Sequence, residues 1–182
     1  LDGLHIHERL KHPVYVPREV FEKRNDPWYS GCEDPRLTRI GNRIYICYTA
    51  YDGTNPPRVA MSSIAVEDFL NKRWKWAIPK LISPPDIDDK DACILPKKVN
   101  GKYMFFHRME TFIWVDFVKD LHFYDGQYLG GSIILQSRPG KWDSKKIGIA
   151  GPPEETEKGW LLMYHGIDDQ NYYRLGAVLL DP

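Results

Sequence analysis

The chain has 182 residues and carries 25 Lys or Arg against 25 Asp or Glu, so its formal net charge at pH 7 is zero. Such a chain has no general electrostatic field to attract nucleic acid or an anionic membrane surface. Because no apolar run approaches the ~20 residues of a membrane span, we expect neither nucleic acid nor a membrane as a partner.

Strand signals dominate the sequence, and helical periodicity is weak. The one helix that the pattern favours is short, at residues 66–71. Runs rich in β-branched and aromatic residues, bounded by Gly, Asn, Pro or Asp, predict strands elsewhere. In chain order these strands cover residues 43–51, 102–109, 112–118, 132–136, 160–167 and 174–180. The sequence therefore predicts an all-β fold.

Three segments resemble one another: EDPRLTRIGNRIYICYTAYD, KDACILPKKVNGKYMFFHRME and AGPPEETEKGWLLMYHGID. In each, a polar or proline-rich stretch leads into a strand, a tight turn and an aromatic-rich strand. Aligning Tyr45 with Tyr103 and Trp160 gives spacings of 58 and 57 residues. The predicted turns are Gly41-Asn42, Asn100-Gly101 and Lys158-Gly159, of which the second is a strong type I′ hairpin signal.

Further strands lie between the copies, so each repeat holds roughly four strands. A four-stranded unit repeated at this interval is typical of a β-propeller blade; the alternative is a set of unrelated hairpins. Closed propellers need about 4 to 8 blades. We therefore expect a single domain, residues 1–182, that is a partial propeller of about three blades and lacks N-terminal and C-terminal blade segments.

Equivalent positions on successive blades converge on the central channel, and several chemically active residues occupy such positions. Asp34 and Asp91 lie 11 and 12 residues before the aligned aromatic residue of their copy, and Lys90 lies 13 before it. Arg108 and His165 each follow theirs by five. We therefore expect these side chains to meet at one site.

Asp34, in the motif EDPR, is a candidate general acid, because a carboxyl group in a partly dry pocket can protonate a leaving oxygen. Arg36, two residues on, could orient Asp34 or fix a substrate. The alternative is a turn with a surface ion pair. Trp28 and Tyr29, just before the motif, are the aromatic residues expected nearest to a substrate.

Lys90, Arg108 and His165 form a candidate anion site. Arginine offers two parallel hydrogen bonds to a phosphate, and lysine offers a point charge. Taken singly, each of the three is as readily explained as a solvated charge or a satisfied histidine.

The rest of the sequence indicates no metal or organic cofactor. DIDDKDA imitates a calcium loop but lacks its glycine and terminal glutamate, and no P-loop, GxSxG or GxGxxG motif occurs. Cys32, Cys47 and Cys93 are too far apart for a CxxC metal pair and favour free thiols in a reducing compartment. We expect a cytoplasmic protein; because the chain begins at Leu1 and not at Met, an original N-terminal signal is not observable.

The segments GCEDPRLTRIGNRIYICYTAYDG, DKDACILPKKVNGKYMFFHRM and KIGIAGPPEETEKGWLLMYHGIDDQNYYRLGAVLLD closely resemble glycoside hydrolase family 130, the mannoside phosphorylases and related mannosidases. Together they span most of residues 31–181. The resemblance implies a five-bladed β-propeller, of which this chain holds about three blades. Two explanations follow for the remaining blades: the sequence is a fragment, or another chain supplies them, as a second copy in a homo-oligomer or as a complementing chain.

The resemblance implies an inverting glycoside phosphorylase that cleaves a β-mannoside, of the β-1,4-mannooligosaccharide or mannosyl-glucose type, with inorganic phosphate as co-substrate. Asp34 would be the general acid, acting through a substrate hydroxyl, and the product would be α-mannose 1-phosphate. The implied phosphate-binding residues are Lys90, Arg108 and His165. The residues expected to contact substrate are Glu33, Arg36, Asp91, His107 and Tyr173.

Two alternatives stay open at this point: a β-mannosidase that cleaves with water, and a non-catalytic glycan-binding propeller fragment. Phosphate carries its own negative charge, so phosphorolysis calls for cations opposite the acid, whereas inverting hydrolysis calls for a carboxylate base. Candidate cations outnumber candidate carboxylate bases, which favours the phosphorylase.

Overall fold

Three antiparallel sheets follow one another along the chain in a computed structural model, which describes residues 3–23 and 30–181. The first sheet contains β1 (Gly31–Ile40), β2 (Arg43–Tyr51), β3 (Arg58–Ala65) and β4 (Lys80–Leu81). The second contains β5 (Asp89–Ile94), β6 (Tyr103–Met109), β7 (Phe112–Val118) and β8 (Ser132–Leu135). The third contains β9 (Lys146–Ile149), β10 (Glu154–Thr156), β11 (Gly159–Ile167) and β12 (Tyr173–Leu180).

The first two sheets are complete four-stranded meanders, with strand orders β1-β2-β3-β4 and β5-β6-β7-β8. One short helix, α1 (Val66–Leu70), follows β3, and a 3₁₀ turn at Val20–Glu22 precedes β1. The predicted all-β fold is confirmed, and the six predicted strands and the single predicted helix agree with the observed elements to within one residue at each end.

The third sheet differs from the first two. Both β9 and β10 pair with β11, on the same side, so they act as one interrupted strand and the sheet has three strand positions. Its last strand, β12, is largely exposed: Leu175 is 74% and Leu179 51% accessible. The expectation of roughly four strands in every repeat is confirmed for all three sheets among the described residues, although the four strands of the third sheet occupy three positions.

The turn prediction for the third copy was wrong by one residue. Thr156 pairs with Gly159, so the two-residue turn is 157–158 and Gly159 begins β11. Gly159 has a positive φ of 126°, and a Cβ there would lie 2.1 Å from the carbonyl oxygen of Leu180. Close backbone approach, and not turn geometry, therefore explains this glycine.

The hydrophobic core lies between the sheets, as it does when blades pack face to face. One cluster joins Cys47, Val59 and Met61 of the first sheet to Ile94 and Phe105 of the second. Another joins the second sheet to the third, through Cys93, Phe106, Ile147, Leu162 and Tyr164. These two layers fix the relative positions of the three sheets, and with them the ends of the strands that carry the candidate site.

A segment before β1 packs on the outer face of the first sheet, where it covers Tyr48 and Trp76. The buried carboxylate of Glu22 accepts hydrogen bonds from the hydroxyl groups of Tyr15 and Tyr48 and from the Arg18 amide. Burial alone would raise the pKa of Glu22, but these hydrogen bonds and that from the Glu19 amide lower the pKa below its usual value. The segment is thus fixed by an ionised side chain.

No helix among the described residues is long and apolar enough to span a membrane.

Candidate active site

The first strands of the first two sheets are both irregular at the aspartates that the sequence singles out. Pairing of β1 with β2 shifts register around Asp34, and pairing of β5 with β6 shifts around Asp91. Both aspartates have left-handed backbones, with φ of 50° and 55°. A bulge of this kind redirects the side chain that it contains, so these two carboxylates are aimed by the backbone.

Asp91 is 3% exposed and lies between arginines of two different sheets. Arg36 Nη2 lies 3.2 Å from its Oδ1, and Arg108 Nη1 lies 3.3 Å from its Oδ2. The Arg36 guanidinium also donates hydrogen bonds to the carbonyl oxygens of Asp34, at 2.7 Å, and Ile149, at 2.5 Å. One side chain of β1 therefore contacts all three sheets at the site.

His165 approaches the same carboxylate from the third sheet because a glycine leaves room for it. A Cβ at Gly148 would lie 2.4 Å from Asp91 Oδ2 and 2.6 Å from His165 Nε2. Burial lowers the pKa of His165, Arg108 and Arg36 lower it further, and Asp91 opposes them. His165 is therefore a neutral imidazole near pH 7. Its ring centroid lies 5.7 Å from that of Tyr173.

Two lysines extend this group of basic side chains. Lys90 pairs directly with Arg108 across β5 and β6. Lys146, the first residue of β9, is half-buried; burial lowers its pKa, and repulsion by Arg108 and Lys90 lowers the pKa further. We call the basic side chains around Asp91 the cationic cluster; its members are Arg36, Lys90, Arg108, Lys146 and His165.

The cationic cluster has more positive than negative charge. Its two arginines and two lysines face two carboxylates, Asp91 and the half-exposed Asp88, whose Oδ1 lies 3.7 Å from Arg108 Nη2. Asp91 Oδ2 is buried, and among the described residues no group donates a hydrogen bond to it with good geometry. An excess of fixed cations with neutral His165 beside it suits a bound dianion such as phosphate.

Asp34 differs from Asp91 in being exposed. Within residues 3–23 and 30–181, its carboxylate makes no hydrogen bond or ion pair, so it is available to a ligand. Glu33, the residue before it, is half-buried and paired with Thr49 in the sheet. Tyr173 is 65% exposed beside His165. The structure thus brings Arg36, Asp91, Arg108 and His165 together and leaves Asp34 open at their edge.

His107 is not part of this group, although it was expected to contact substrate. It neighbours Arg108 on β6 and therefore points to the other face of the sheet. It is fully buried, with Nδ1 at 2.9 Å from Asp89 Oδ2 and Nε2 at 3.0 Å from the carbonyl oxygen of Gly130. Both ring nitrogens are occupied by the protein, so we correct the expectation: His107 pairs inside the second sheet.

Sequence reasoning missed Lys146. Lys146 lies 14 residues before Trp160, whereas Lys90 lies 13 residues before Tyr103. Aligning the copies by residue spacing therefore does not match Lys146 with Lys90. The available signal was chemical: a lysine four residues before the third copy, where the second copy itself begins with a lysine. Trp28 and Tyr29, expected near a substrate, lie outside the described residues. Among those described, no group of three or more His, Cys, Asp or Glu is arranged to hold a metal ion.

Comparison with known proteins adds to this geometry. A family model described as beta-1,4-mannooligosaccharide phosphorylase matches residues 2–182. The chain is 41% identical over 180 residues to a beta-1,2-mannobiose phosphorylase of Thermoanaerobacter sp. (strain X514), covering 99% of this chain and 54% of that protein. It is 26% identical over 186 residues to a beta-1,4-mannooligosaccharide phosphorylase of Ruminococcus albus, covering 99% of this chain and 52% of that protein.

The fold is shared with solved structures. A beta-1,2-mannobiose phosphorylase from Listeria innocua, solved with beta-1,2-mannobiose, superposes with a TM-score of 0.74 at 29% identity, covering 94% of this chain and 45% of that one. The chain spans about half the length of the curated relatives that it matches.

Proposed function

Because the chain belongs to glycoside hydrolase family 130, we propose that it carries the acid and the phosphate site of a mannoside phosphorylase. The family fold is a five-bladed β-propeller, and the three sheets are blades of it. The proposed reaction is an inverting cleavage of a β-mannoside by inorganic phosphate, with no metal or organic cofactor. It would yield α-mannose 1-phosphate and a shortened acceptor.

The observation that carries this proposal is the cationic cluster next to an exposed, unpartnered Asp34. A phosphate dianion would balance the excess charge of the cluster, and that of Arg108 in particular, whose side chain is 6% exposed and is already held by Asp91. A guanidinium held in place in this way loses little freedom when it binds a phosphate. The cluster is therefore preorganised for an anion.

In the proposed mechanism, the Asp34 carboxyl group supplies the proton that the departing sugar oxygen takes up, through a substrate hydroxyl. A phosphate oxygen attacks the anomeric carbon from the opposite face as the glycosidic C–O bond breaks. One displacement inverts β to α, so no enzymic nucleophile is required. Arg36 donates to the Asp34 carbonyl and contacts Asp91, and it thereby fixes the acid relative to the anion site.

Hydrolysis finds less support in the geometry. An inverting mannosidase requires a second carboxylate, about 6.5–9.5 Å from the acid, to activate water. Asp91 is the carboxylate inside the cationic cluster, but it is 3% exposed and engaged by two arginines. A base held in this way is shielded from water, and its oxygens face guanidinium groups instead of a nucleophilic water. A glycan-binding propeller without activity would have no use for the cluster.

The linkage that is cleaved is a finer question. Relatives that are 41% and 36% identical are named for β-1,2-linked mannosides, and the one named for a β-1,4 linkage is 26% identical. We therefore place a β-1,2-mannoside first among the substrates to test, ahead of the β-1,4-mannooligosaccharide that the sequence alone led us to expect.

The test is sugar release from β-1,2- and β-1,4-mannobiose by the full-length protein, with and without inorganic phosphate. Mannose 1-phosphate that forms only with phosphate is the expected product. Asp34→Asn should abolish it, and Asp52→Asn, at an exposed turn of the same sheet, is the matched control that should not.

Free mannose in the absence of phosphate would overturn phosphorolysis in favour of the hydrolase. Mannobiose binding with no product under any condition would favour the glycan-binding alternative. An active Asp34→Asn variant would remove Asp34 from its role as the acid while leaving the phosphate requirement to be judged separately.

A further inference from the structure

A groove of about 530 Å³ lies between the first and second sheets, away from the cationic cluster. Tyr45 of β2 and Tyr103 of β6 line its walls. Tyr103 starts the strand on which Arg108 lies five residues later, so about 17 Å of extended chain separates the two positions. This intersheet groove is therefore at the opposite ends of the strands from Asp34 and Asp91.

The intersheet groove is lined by three Arg or Lys side chains, Arg43, Lys98 and Lys119, and by the imidazole of His122. In the part of the chain that the structure describes, none of them is within ion-pair distance of a carboxylate. The one acidic residue among the described lining residues is Asp120, whose Oδ1 accepts a hydrogen bond from the His122 amide at 2.9 Å. The groove thus has an excess of positive charge that the protein itself does not neutralise.

Two of these cations are held in place by neutral groups. Arg43 donates from Nε and Nη2 to the hydroxyl oxygen of Ser63, at 3.2 and 2.8 Å. Lys98 Nζ lies 4.3 Å from the ring centroid of Tyr103, a cation–π contact. Such partners position a charge without cancelling it, which is the arrangement that an anion-binding site requires.

The tyrosines add uncharged donors and aromatic surface. Burial raises the pKa of Tyr45, and the neighbouring Tyr103 raises it further against the effect of Arg43, so its hydroxyl stays protonated and can donate a hydrogen bond. Tyrosine offers both an apolar ring and a polar tip, which matches a sugar ring with hydroxyl groups. The volume of the groove is within the range of small-molecule sites, about 300–1,000 Å³.

We propose that the intersheet groove binds a phosphorylated sugar, with Arg43, Lys98 and Lys119 around the phosphate and the two tyrosines against the sugar. Inorganic phosphate would meet the cations but leave the tyrosines without contacts, so the proposal requires both parts of the ligand. The site is separate from the cationic cluster. Only the choice of mannose 1-phosphate as a probe rests on the proposed function.

The test is isothermal titration of the full-length protein with mannose 1-phosphate, inorganic phosphate and mannose as separate ligands. We expect a double variant, Lys98→Ala with Lys119→Ala, to weaken binding of mannose 1-phosphate to one site by about tenfold or more. Both lysines are exposed, so the variant should fold, which circular dichroism checks. The matched control is Lys141→Ala with Lys158→Ala, two exposed lysines near the third sheet.

A second double variant, Lys90→Ala with Lys146→Ala, separates this proposal from the proposed function. It should remove binding at the cationic cluster and leave the intersheet groove intact. If the Lys98→Ala, Lys119→Ala variant binds mannose 1-phosphate as tightly as the parent protein at every site, the groove proposal is wrong. This holds whether or not the cationic cluster binds the ligand. Equal affinity of the groove for inorganic phosphate would overturn the assignment of a sugar phosphate.

Discussion

Asp89 and Asp91 lie two residues apart on one strand, both are buried, and their surroundings are entirely different. Asp89 pairs with the fully buried His107 inside the second sheet. Asp91 meets Arg36 of the first sheet and Arg108 of the second, beside His165 of the third. One carboxylate completes a pair within a blade, and the other lies where three blades meet.

The bulge in β5 produces this difference. Residues two apart on a regular strand point to the same face, but Asp91 has a left-handed backbone where the pairing shifts register. Burial raises the pKa of Asp89, against the opposing effect of His107. Asp89 and His107 both have their partners inside the protein. Around Asp91, by contrast, positive charge remains in excess. We therefore assign Asp89 to the stability of the fold and Asp91 to ligand binding.

The largest effect is expected from a substitution that breaks the buried pair of Asp89 and His107. Asp89→Ala leaves His107 buried without its partner and should lower the free energy of unfolding by about 3–5 kcal/mol, measured by urea denaturation. The matched control is Asp88→Ala, whose side chain is 48% exposed and 3.7 Å from Arg108; it should change stability by less than about 1 kcal/mol. Equal, small losses in both variants would contradict the distinction drawn between the two environments.

A smaller effect is expected from crowding Asp91. Gly148→Ala places a methyl group where Asp91 Oδ2 and His165 now lie, and Asp91 cannot easily retreat because two arginines hold it. The cost of overpacking is about 1–3 kcal/mol, and phosphate-dependent turnover should be lost with it. Gly151→Ala, with no atom within 4 Å of the added Cβ, should alter neither. If both variants remain active, Gly148 is not needed to assemble the site.

Lys146→Ala should separate function from stability. Because burial and the charges of Arg108 and Lys90 disfavour the Lys146 ammonium, its removal should leave thermal stability unchanged or slightly higher. Turnover at limiting phosphate should fall by about tenfold. Lys145→Ala, which removes an exposed contact to Asn171, is the control. A Lys146→Ala variant that unfolds more easily and keeps its phosphate affinity would assign the lysine to the fold instead.

The smallest effect concerns pH. An unfolded chain protonates histidine near pH 6.5, and the folded protein protonates His165 only at lower pH because burial lowers its pKa. Between these two values the unfolded state binds more protons, so stability should rise with pH up to about 6.5 and then level off. Denaturation of the parent and of His165→Asn at several pH values measures this slope. An unchanged slope in the variant would show that His165 is not its source.

Most of the fold could be predicted because each repeat carries local signals, namely a turn motif followed by an aromatic-rich strand. Asn100 and Gly101 have positive φ of 50° and 76°, as a type I′ turn requires, and the aromatic-rich strands after each turn lie where the pattern indicates. The three-position third sheet could not be predicted, since the sequence of β10 reads like the strand that leads each copy. Its interruption depends on how β9 and β10 share β11.

The site was only partly predictable, for a different reason. The repeat spacing predicted that Asp91, Arg108 and His165 lie together, and they do. The reason is that equivalent positions on successive blades lie at the same level along the propeller axis. His107 was expected at the site only from the family resemblance, and it points to the face of β6 opposite to that of Arg108. The bulge and the space left at Gly148 are backbone properties that depend on contacts between sheets, and Lys146 lay one position outside the expected spacing.

The hydrogen bonds of Arg36 have a consequence for how this enzyme family can diversify. One guanidinium contacts the Asp34 carbonyl, the Asp91 carboxylate and the Ile149 carbonyl, so the alignment of the proposed acid with the proposed anion site does not depend on any surface loop. Under the proposed function, loops around the sugar would be free to acquire insertions, substitutions and new preferences for linkage while the reacting groups keep their relative positions.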